Sequence, residues 1–181
     1  MQLDSVRYRI ATDLDQPAFN SVQSAYAWFL SRYTWDWFAT FTFRVSTHPE
    51  AARKYYAVWL ARLNRCVHGS GWYRSKKSVY WSLAYERHQS GALHMHALLG
   101  NPVSDLNTRA NRLQFMDFWH SLGSEGNCDT RGGCVSPAKG PGFARIYRAN
   151  NRYAVSAYVS KYVAKGGEIE LGGSLGRLFA S

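Results

Sequence analysis

The sequence is short of cysteine, of acidic residues and of long apolar runs, and each shortage argues against a class of protein. Its 181 residues include three cysteines, an odd number without zinc-knuckle spacing, which we interpret as free thiols in a reducing compartment. These are Cys66, Cys128 and Cys134. No apolar run approaches the roughly 20 residues that span a bilayer. We therefore expect neither a disulfide scaffold nor a membrane partner.

Two other patterns are missing. Residues 1–7 lack the basic-then-apolar order of a secretory leader, so we expect a cytoplasmic protein. No glycine-rich loop ends in Gly-Lys-Ser or Gly-Lys-Thr, so no ATPase is indicated. Acidic residues number 12 against 22 lysines and arginines, which gives a net charge of +10. That imbalance favours a polyanionic partner, and nucleic acid in particular.

The sequence does contain a series of helical and strand patterns within the length of one domain. We predict a helical cover segment at 1–35, a main domain at 36–166 and a flexible, glycine-rich tail at 167–181. Apolar residues spaced by three and four predict helices, and aromatic or alternating runs predict strands. The predicted elements are helices at 18–32, 49–66, 106–119 and 153–165, and strands at 37–44, 79–86, 93–99 and 142–148.

Two histidines one residue apart interrupt the apolar strand predicted at 93–99. Because side chains alternate along a strand, His94 and His96 lie on one face. Two imidazoles directed at one point favour a divalent metal site, and the simpler alternative is a pair of hydrogen-bonded histidines on a half-exposed strand. Glu86 ends the preceding strand. In a hairpin register that pairs it with His94 it becomes a third ligand, whereas a slip of one residue turns it away.

A second group of polar side chains lies on the helix predicted at 153–165. At about 100° per residue, its valines form a buried stripe, and its tyrosines and lysines form a second arc. The second arc consists of Tyr158, Lys161, Tyr162 and Lys165. Two phenols and two ammonium groups therefore share one face of the helix. The alternative is that the tyrosines are packing residues covered by the lysine stems.

Basic, aromatic and hydroxyl side chains elsewhere suit contact with a phosphate backbone or with unpaired bases. They fall on the strand at 37–44, in the loop after the helix at 49–66, and at 142–152. The candidates are Thr40, Thr42, Arg44, Trp72, Arg74, Lys76, Lys77, Arg145, Arg148 and Arg152. Threonine is also a common strand residue, and a basic loop is also an ordinary solvated surface, so both interpretations stay open.

Taken together and in this order, three segments resemble the motifs of the HUH endonuclease superfamily, specifically the rolling-circle replication initiators of plasmids and small single-stranded DNA viruses. The strand Phe38–Phe43 is similar to the first, aromatic and threonine-rich motif. His94-Met95-His96 is similar to the second, two histidines around a hydrophobic residue. Tyr158–Lys165 is similar to the third, a helix with one or two nucleophilic tyrosines and lysines three residues on.

The resemblance covers residues 36–166 and implies an α+β domain, with an antiparallel sheet of about five strands flanked by helices in a ferredoxin-like arrangement. It implies a Mn²⁺ or Mg²⁺ ion held by His94, His96 and Glu86. It also implies a DNA endonuclease and strand transferase that forms a 5′-phosphotyrosine. Tyr162 is favoured as nucleophile over Tyr158, because the Tyr-x-x-Lys-Gly pattern matches single-tyrosine plasmid enzymes, but the order of the two tyrosines stays open.

By the same resemblance, Lys165 and Lys161 contact phosphate or favour the phenolate. The implied partners are single-stranded DNA at an origin, with or without a hairpin, together with a host helicase and polymerase. The oligomeric state is left open. The alternatives are a transposase or relaxase of the same superfamily, or a non-catalytic domain that binds single-stranded nucleic acid.

Overall fold

The computed structural model describes residues 21–74, 77–87, 91–123, 140–164 and 169–174. Within these ranges the chain forms five strands and five α-helices. The strands are β1 (Trp37–Phe43), β2 (Tyr80–Arg87), β3 (Leu93–Gly100), β4 (Pro141–Arg148) and β5 (Ile169–Gly172). The helices are α1 (Val22–Ser31), α2 (Pro49–His68), α3 (Leu106–Arg109), α4 (Arg112–Ser121) and α5 (Arg152–Ala164).

The strands form one antiparallel sheet in the order β4-β1-β3-β2-β5. This confirms the predicted α+β fold with an antiparallel sheet of about five strands. β1 and β2 both pair with β3, so they place side chains on either side of the two histidines. Thr42 and Glu86 flank His94, and Thr40 flanks His96.

One face of the sheet is covered by α2 and α4 and carries the larger apolar core. The odd-numbered residues of β1 and β3 point to this face, because side chains alternate along a strand. Trp59 and Trp119 are fully buried against Phe41, with ring centroids 4.9 and 4.6 Å from its centroid. Their indole N–H groups donate to the carbonyls of Phe115 and Thr42. Both of these buried indole N–H groups are therefore paired.

The bounds of α2 follow from its capping residues. His48 is the N-cap, Pro49 occupies the first turn, and Glu50 lies near the positive end of the helix dipole. The helix continues past the predicted end to His68, where Gly69 takes a φ of 82°. That left-handed conformation suits glycine and ends the helix.

α1 and α5 lie on the opposite face, where the even-numbered residues of β1 and β3 point. α1 begins with a capping box formed by Ser21 and Ser24. Val159 of α5 and Leu98 of β3 are fully buried in a smaller apolar cluster between α1, α5 and the sheet. The tyrosine-bearing helix is therefore held between α1 and the face of the sheet that carries the histidines.

One predicted helix is two helices in the structure. The single helix expected over 106–119 is interrupted at Ala110, whose backbone is extended with φ −144° and ψ 140°. Asn111 then caps α4, because its side-chain oxygen accepts a hydrogen bond from the Leu113 N–H at 2.9 Å. The Leu113 side chain is 65% exposed.

A second difference lies in the segment predicted as a flexible tail. Ile169–Gly172 forms β5, which pairs with the free edge of β2. Glu170 ties this short strand to its neighbours, accepting hydrogen bonds from Arg53 Nε and the Tyr85 hydroxyl, each at 2.7 Å. A four-residue strand carries little periodic signal, so its pairing partner decides its conformation.

Some predictions fall on residues outside the described ranges. Cys128 and Cys134 are two of these, whereas Cys66 is a free, exposed thiol. None of the helices in the described ranges has the length and apolar character needed to cross a bilayer.

Candidate active site

The hairpin places Glu86 directly opposite His94, which confirms the register that a third ligand requires. His96 lies two residues further along β3, and its Nε2 is 3.1 Å from a carboxylate oxygen of Glu86. The His96 side chain is almost completely buried, with 4% of the residue exposed. The imidazole of this pair is therefore buried, whereas the Glu86 side chain is 20% exposed.

His96 is held in its neutral form. Burial lowers its pKa to about 4, and the hydrogen bond and charge of Glu86, which act in the opposite direction, do not offset that effect. The Thr40 hydroxyl lies 3.1 Å from Nδ1. In the neutral ring the Nε2–H donates to the Glu86 carboxylate, and Nδ1 accepts from the Thr40 hydroxyl. A metal ion at Nε2 would take the other tautomer, in which the Nδ1–H donates to that hydroxyl. A neutral imidazole oriented by a neighbour in this way is the form that binds metal ions.

Glu86, His94 and His96 carry the kinds of atom that bind a divalent ion. For Glu86 and His96, the spacing of these atoms also suits such an ion. Adjacent ligands of a six-coordinate Mg²⁺ lie about 3 Å apart, because each bond is about 2.1 Å long. The distance from His96 Nε2 to Glu86 Oε2 is 3.1 Å. Over the described residues, however, no group of three or more His, Cys, Asp or Glu side chains comes close enough to hold an ion. His94, although paired with Glu86 in register, does not complete a three-ligand cluster.

Tyr162 packs directly on the histidine. Its ring is stacked on that of His96, with centroids 4.5 Å apart and planes inclined by 6°, and the residue is 1% exposed. The buried side of α5 thus includes Tyr162 as well as Val159, because this helix packs between α1 and the sheet. Burial, followed by the hydrogen bond and charge of Tyr158 and the charge of Glu86, raises the pKa of Tyr162 well above its usual value. The phenol is therefore protonated at neutral pH.

Tyr158, one helical turn earlier, is 42% exposed. Its ring meets the rings of Tyr162 and His96 edge-on, at 5.7 and 5.9 Å between centroids. Lys161 holds its Nζ 3.6 Å from the centroid of Tyr158 and 4.9 Å from that of Tyr162. The structure thus brings both tyrosines and one of the two lysines to the buried histidine, and Tyr158 is the tyrosine that is open to solvent.

Phe38 is a member of this cluster that the sequence reasoning missed. Its ring lies nearly parallel to that of His96, at 6.2 Å and 8°, and edge-on to that of Tyr158 at 5.3 Å. Phe38 is two residues before Thr40 on β1, so alternation along the strand assigns both to the same face. The same rule that placed the threonines could therefore have found it.

The two threonines of β1 use their hydroxyls inside the sheet. Thr40 contacts His96, and Thr42 is 6% exposed. The Thr42 hydroxyl accepts from the Phe143 N–H and donates to the Phe143 carbonyl, both at 2.9 Å. A phosphate contact by either threonine stays a prediction, and it would compete with these bonds. Arg145 is the predicted basic residue in register with Thr40 and is exposed.

The loop between α2 and β2, which holds several predicted contacts, joins β2 at the end opposite to Glu86. Trp72, Arg74 and Lys77 precede Tyr80, the first residue of β2. Glu86 is six residues further along the same strand, or about 20 Å at the usual rise per residue. Tyr80 pairs with Gly100, whereas Glu86 pairs with His94, so the loop joins the sheet at the end of the hairpin away from the histidines.

Of the remaining predicted residues, the structure describes the side chains of two, which lie at the ends of β1 and β4. Arg44 is exposed just after β1, and Arg148 is exposed at the last position of β4. Arg152 begins α5, but its side chain lies outside the described part of the structure, as do Lys76 and Lys165. Their roles stay predictions.

The described cluster lies within a recognisable family match. The family model for the replication-associated protein ORF2 matches residues 36–167. The match includes β1 to β4, α2 to α5 and all the clustered side chains, and it leaves out α1 and β5. No curated protein matches the chain.

Proposed function

The chain belongs to the replication-associated protein ORF2 family, and from the role in replication initiation that this membership supports, we propose that it nicks and rejoins single-stranded DNA at an origin. The family implies an interaction with DNA, and the net charge of +10 agrees with a polyanionic partner. The nick would be made by a tyrosine of α5, in the manner of the HUH endonucleases that the three sequence motifs resemble.

One observation carries this proposal. The imidazole of His96 touches both the carboxylate of Glu86, at 3.1 Å, and the ring of Tyr162, at 4.5 Å between centroids. Two elements distant in sequence, a hairpin and a helix, thus bring together a neutral imidazole, a carboxylate and a phenol. Phosphodiester cleavage by a covalent route needs a nucleophile beside groups that stabilise charge on the phosphate.

Glu86 and His96, with His94 alongside, would hold the Mn²⁺ or Mg²⁺ ion. When bound, that ion would polarise the scissile phosphate and stabilise its developing negative charge. The chain's own contribution is to keep His96 neutral by burial and to orient it through Thr40. Lys161 would add a positive charge close to both phenols.

The proposed step conserves the phosphodiester bond energy. The phenolic oxygen bonds to phosphorus while the bond from phosphorus to the 3′ oxygen breaks. The phenol loses its proton and the departing oxygen gains one, leaving a 3′-hydroxyl and a 5′-phosphotyrosine. Attack of a 3′-hydroxyl on that phosphotyrosine reverses the reaction and rejoins the strand.

Two phenols are available for this step. Tyr162 is the proposed first nucleophile, supported by its proximity to Glu86 and His96. Because it is 1% exposed, its attack requires the side chain to turn towards the phosphate. Tyr158 is 42% exposed and needs no such movement, so it would accept the second strand or, in the alternative order, the first.

Mutation of the tyrosines tests the proposal. Wild-type protein, incubated with Mn²⁺ and single-stranded origin oligonucleotides, should yield a covalent adduct on a denaturing gel. Tyr162→Phe should lose the first adduct, and Tyr158→Phe should keep that adduct and lose only the transfer of a second strand. Tyr153→Phe is the matched control, because Tyr153 is a 65% exposed tyrosine on the same helix, and it should behave as wild type. Loss in Tyr158→Phe with retention in Tyr162→Phe would reverse the order.

The histidines give an independent arm of the same experiment. His96→Ala and His94→Ala should each abolish the adduct while leaving single-stranded DNA binding measurable. Cleavage that survives both substitutions would contradict the metal assignment. Tight binding by the wild type, with no adduct under any condition, would instead support the non-catalytic binding domain.

A further inference from the structure

The edge strand β4 presents a row of side chains that the proposed chemistry does not use. Phe143 is 56% exposed and Tyr147 is 51% exposed, and Arg145 between them is also exposed. The intervening Ala144 and Ile146 are buried in the core beneath α2 and α4. Alternation along the strand therefore places the two aromatic rings and the guanidinium on one side of the sheet.

That side is the one that carries the candidate active site. Arg145 pairs with Thr40, which in turn pairs with His96, so the three lie in one row across the sheet. Tyr147 pairs with Phe38, whose ring is 6.2 Å from that of His96. The exposed row thus runs along the edge of the sheet and borders the cluster of tyrosines and histidine.

The row is held in place before any ligand arrives. The Phe143 N–H and carbonyl are both bonded to the Thr42 hydroxyl at 2.9 Å. The Arg145 guanidinium lies 6.0 Å from the centroid of the Phe143 ring, within the range of a cation–π contact. A strand backbone that is already held in the sheet loses little conformational entropy on binding, which favours affinity.

The spacing of the side chains in this row suits single-stranded nucleic acid and does not suit a duplex. Side chains two apart on a strand lie about 6.7 Å from each other, so Phe143 and Tyr147 are about 13 Å apart. Bases in a duplex are stacked at about 3.4 Å per strand and cannot lie on both rings. Bases splayed from a single strand can do so, with a phosphate near Arg145 between them.

We propose that Phe143, Arg145 and Tyr147 form a stacking platform for unpaired bases next to the scissile phosphate. The proposal rests on the proposed function, since it takes single-stranded DNA as the ligand. Stacking on two rings tolerates any base, because every base has a π face. The platform would hold the strand in place beside the site and leave recognition of the origin sequence to other contacts.

The test measures binding without cleavage. A fluorescently labelled single-stranded oligonucleotide is titrated by anisotropy in the absence of divalent metal. Phe143→Ala and Tyr147→Ala should each raise Kd about 5- to 100-fold, and Tyr147→Phe, which keeps the ring, should stay within about twofold of wild type. Arg145→Gln should reduce the slope of log K against log salt by about 0.7.

Matched controls come from the opposite face of the sheet. Leu113→Ala removes a 65% exposed apolar side chain of α4, and Arg65→Gln removes an exposed charge of α2. Leu113→Ala should leave Kd unchanged. Arg65→Gln should leave the slope of log K against log salt unchanged. Placing abasic sites along the oligonucleotide should find two positions at which base removal weakens binding to wild type but not to the corresponding alanine variant.

The outcomes separate this inference from the proposed function. If the wild type binds single-stranded DNA and forms the adduct, while both alanine variants bind equally well, the platform is wrong and the nuclease stands. If the wild type does not bind single-stranded DNA, the proposed function fails. If Tyr147→Ala instead abolishes a dimer seen by sedimentation without changing DNA affinity, the row is an interface between copies and the platform is overturned.

Discussion

The two faces of the sheet use the same alternating strands for opposite purposes. The face under α2 and α4 buries large rings against each other, and the indole N–H groups of Trp59 and Trp119 are paired with carbonyls. The face under α1 and α5 has a smaller apolar cluster, and beside it lie a carboxylate, an imidazole and two phenols. One face is closed and apolar, and the other is polar and partly open.

The face under α2 and α4 therefore mainly stabilises the fold, whereas the face under α1 and α5 carries the groups proposed for chemistry. Burial of apolar area is the main favourable term in folding, so the face with more buried rings supplies most of it. Burial of polar groups is unfavourable unless they are paired, so the site face can hold its cluster only on a sheet stabilised from the other side. Substitutions on the two faces should therefore affect different measurements.

The largest effect on stability is expected at Trp59, on the closed face. Trp59→Ala should lower the free energy of unfolding by about 3–5 kcal/mol, because it opens a cavity in a packed core. Urea denaturation measures this change. Leu113→Ala, at a 65% exposed position on the same face, should change stability by less than about 0.5 kcal/mol. A loss below about 1.5 kcal/mol for Trp59→Ala would mean that this face is not the main source of stability.

A smaller effect, confined to chemistry, is expected at Thr40. Thr40→Val keeps the shape but removes the hydroxyl that contacts His96 Nδ1. The Mn²⁺ concentration needed for half-maximal nicking should rise about 10- to 100-fold, the usual result of losing a group that orients a ligand. Thr40→Ser should restore it, and the unfolding midpoint should hardly move. A higher KM for DNA at unchanged metal dependence would instead support the phosphate contact predicted from the sequence.

The smallest effect is expected at Arg53, which joins α2 to β5. Its Nε donates to Glu170 at 2.7 Å, but its side chain is 65% exposed, so water screens the pair. Arg53→Ala should change the free energy of unfolding by less than about 0.5 kcal/mol. Tyr85→Phe, which removes the second hydrogen bond to Glu170, should cost about 1 kcal/mol. The opposite ranking of the two variants in urea denaturation would contradict this account of how β5 is anchored.

The strands and their facing residues could be predicted because alternation is a local property. The strand at 93–99 and the position of His94 and His96 on one face follow from the sequence. For Glu86 the sequence left two registers open, and the structure has the one that pairs it with His94. The break between α3 and α4 was missed because both halves carry apolar residues at helical spacing, and the capping bond of Asn111 decides the boundary. β5 is too short to show a period.

The site was predictable as a set of residue types but not as an arrangement. Helical spacing places Tyr158 and Tyr162 near each other, yet it does not say which is buried. The loop with Trp72 and Arg74 matches the composition of a nucleic-acid contact, but this composition does not say that the loop joins β2 at the end opposite to Glu86. Composition carries no information about distance.

By itself, the sequence determined the period of each long element, and hence which side chains share a face, because backbone geometry repeats along the chain. Only the tertiary structure decided that Tyr162 stacks on His96 while Tyr158 meets solvent, and that the aromatic row of β4 lies on the same side as both. The reason is that burial and contact depend on how α1, α5 and the sheet pack together, and such packing joins residues whose separation in sequence is large.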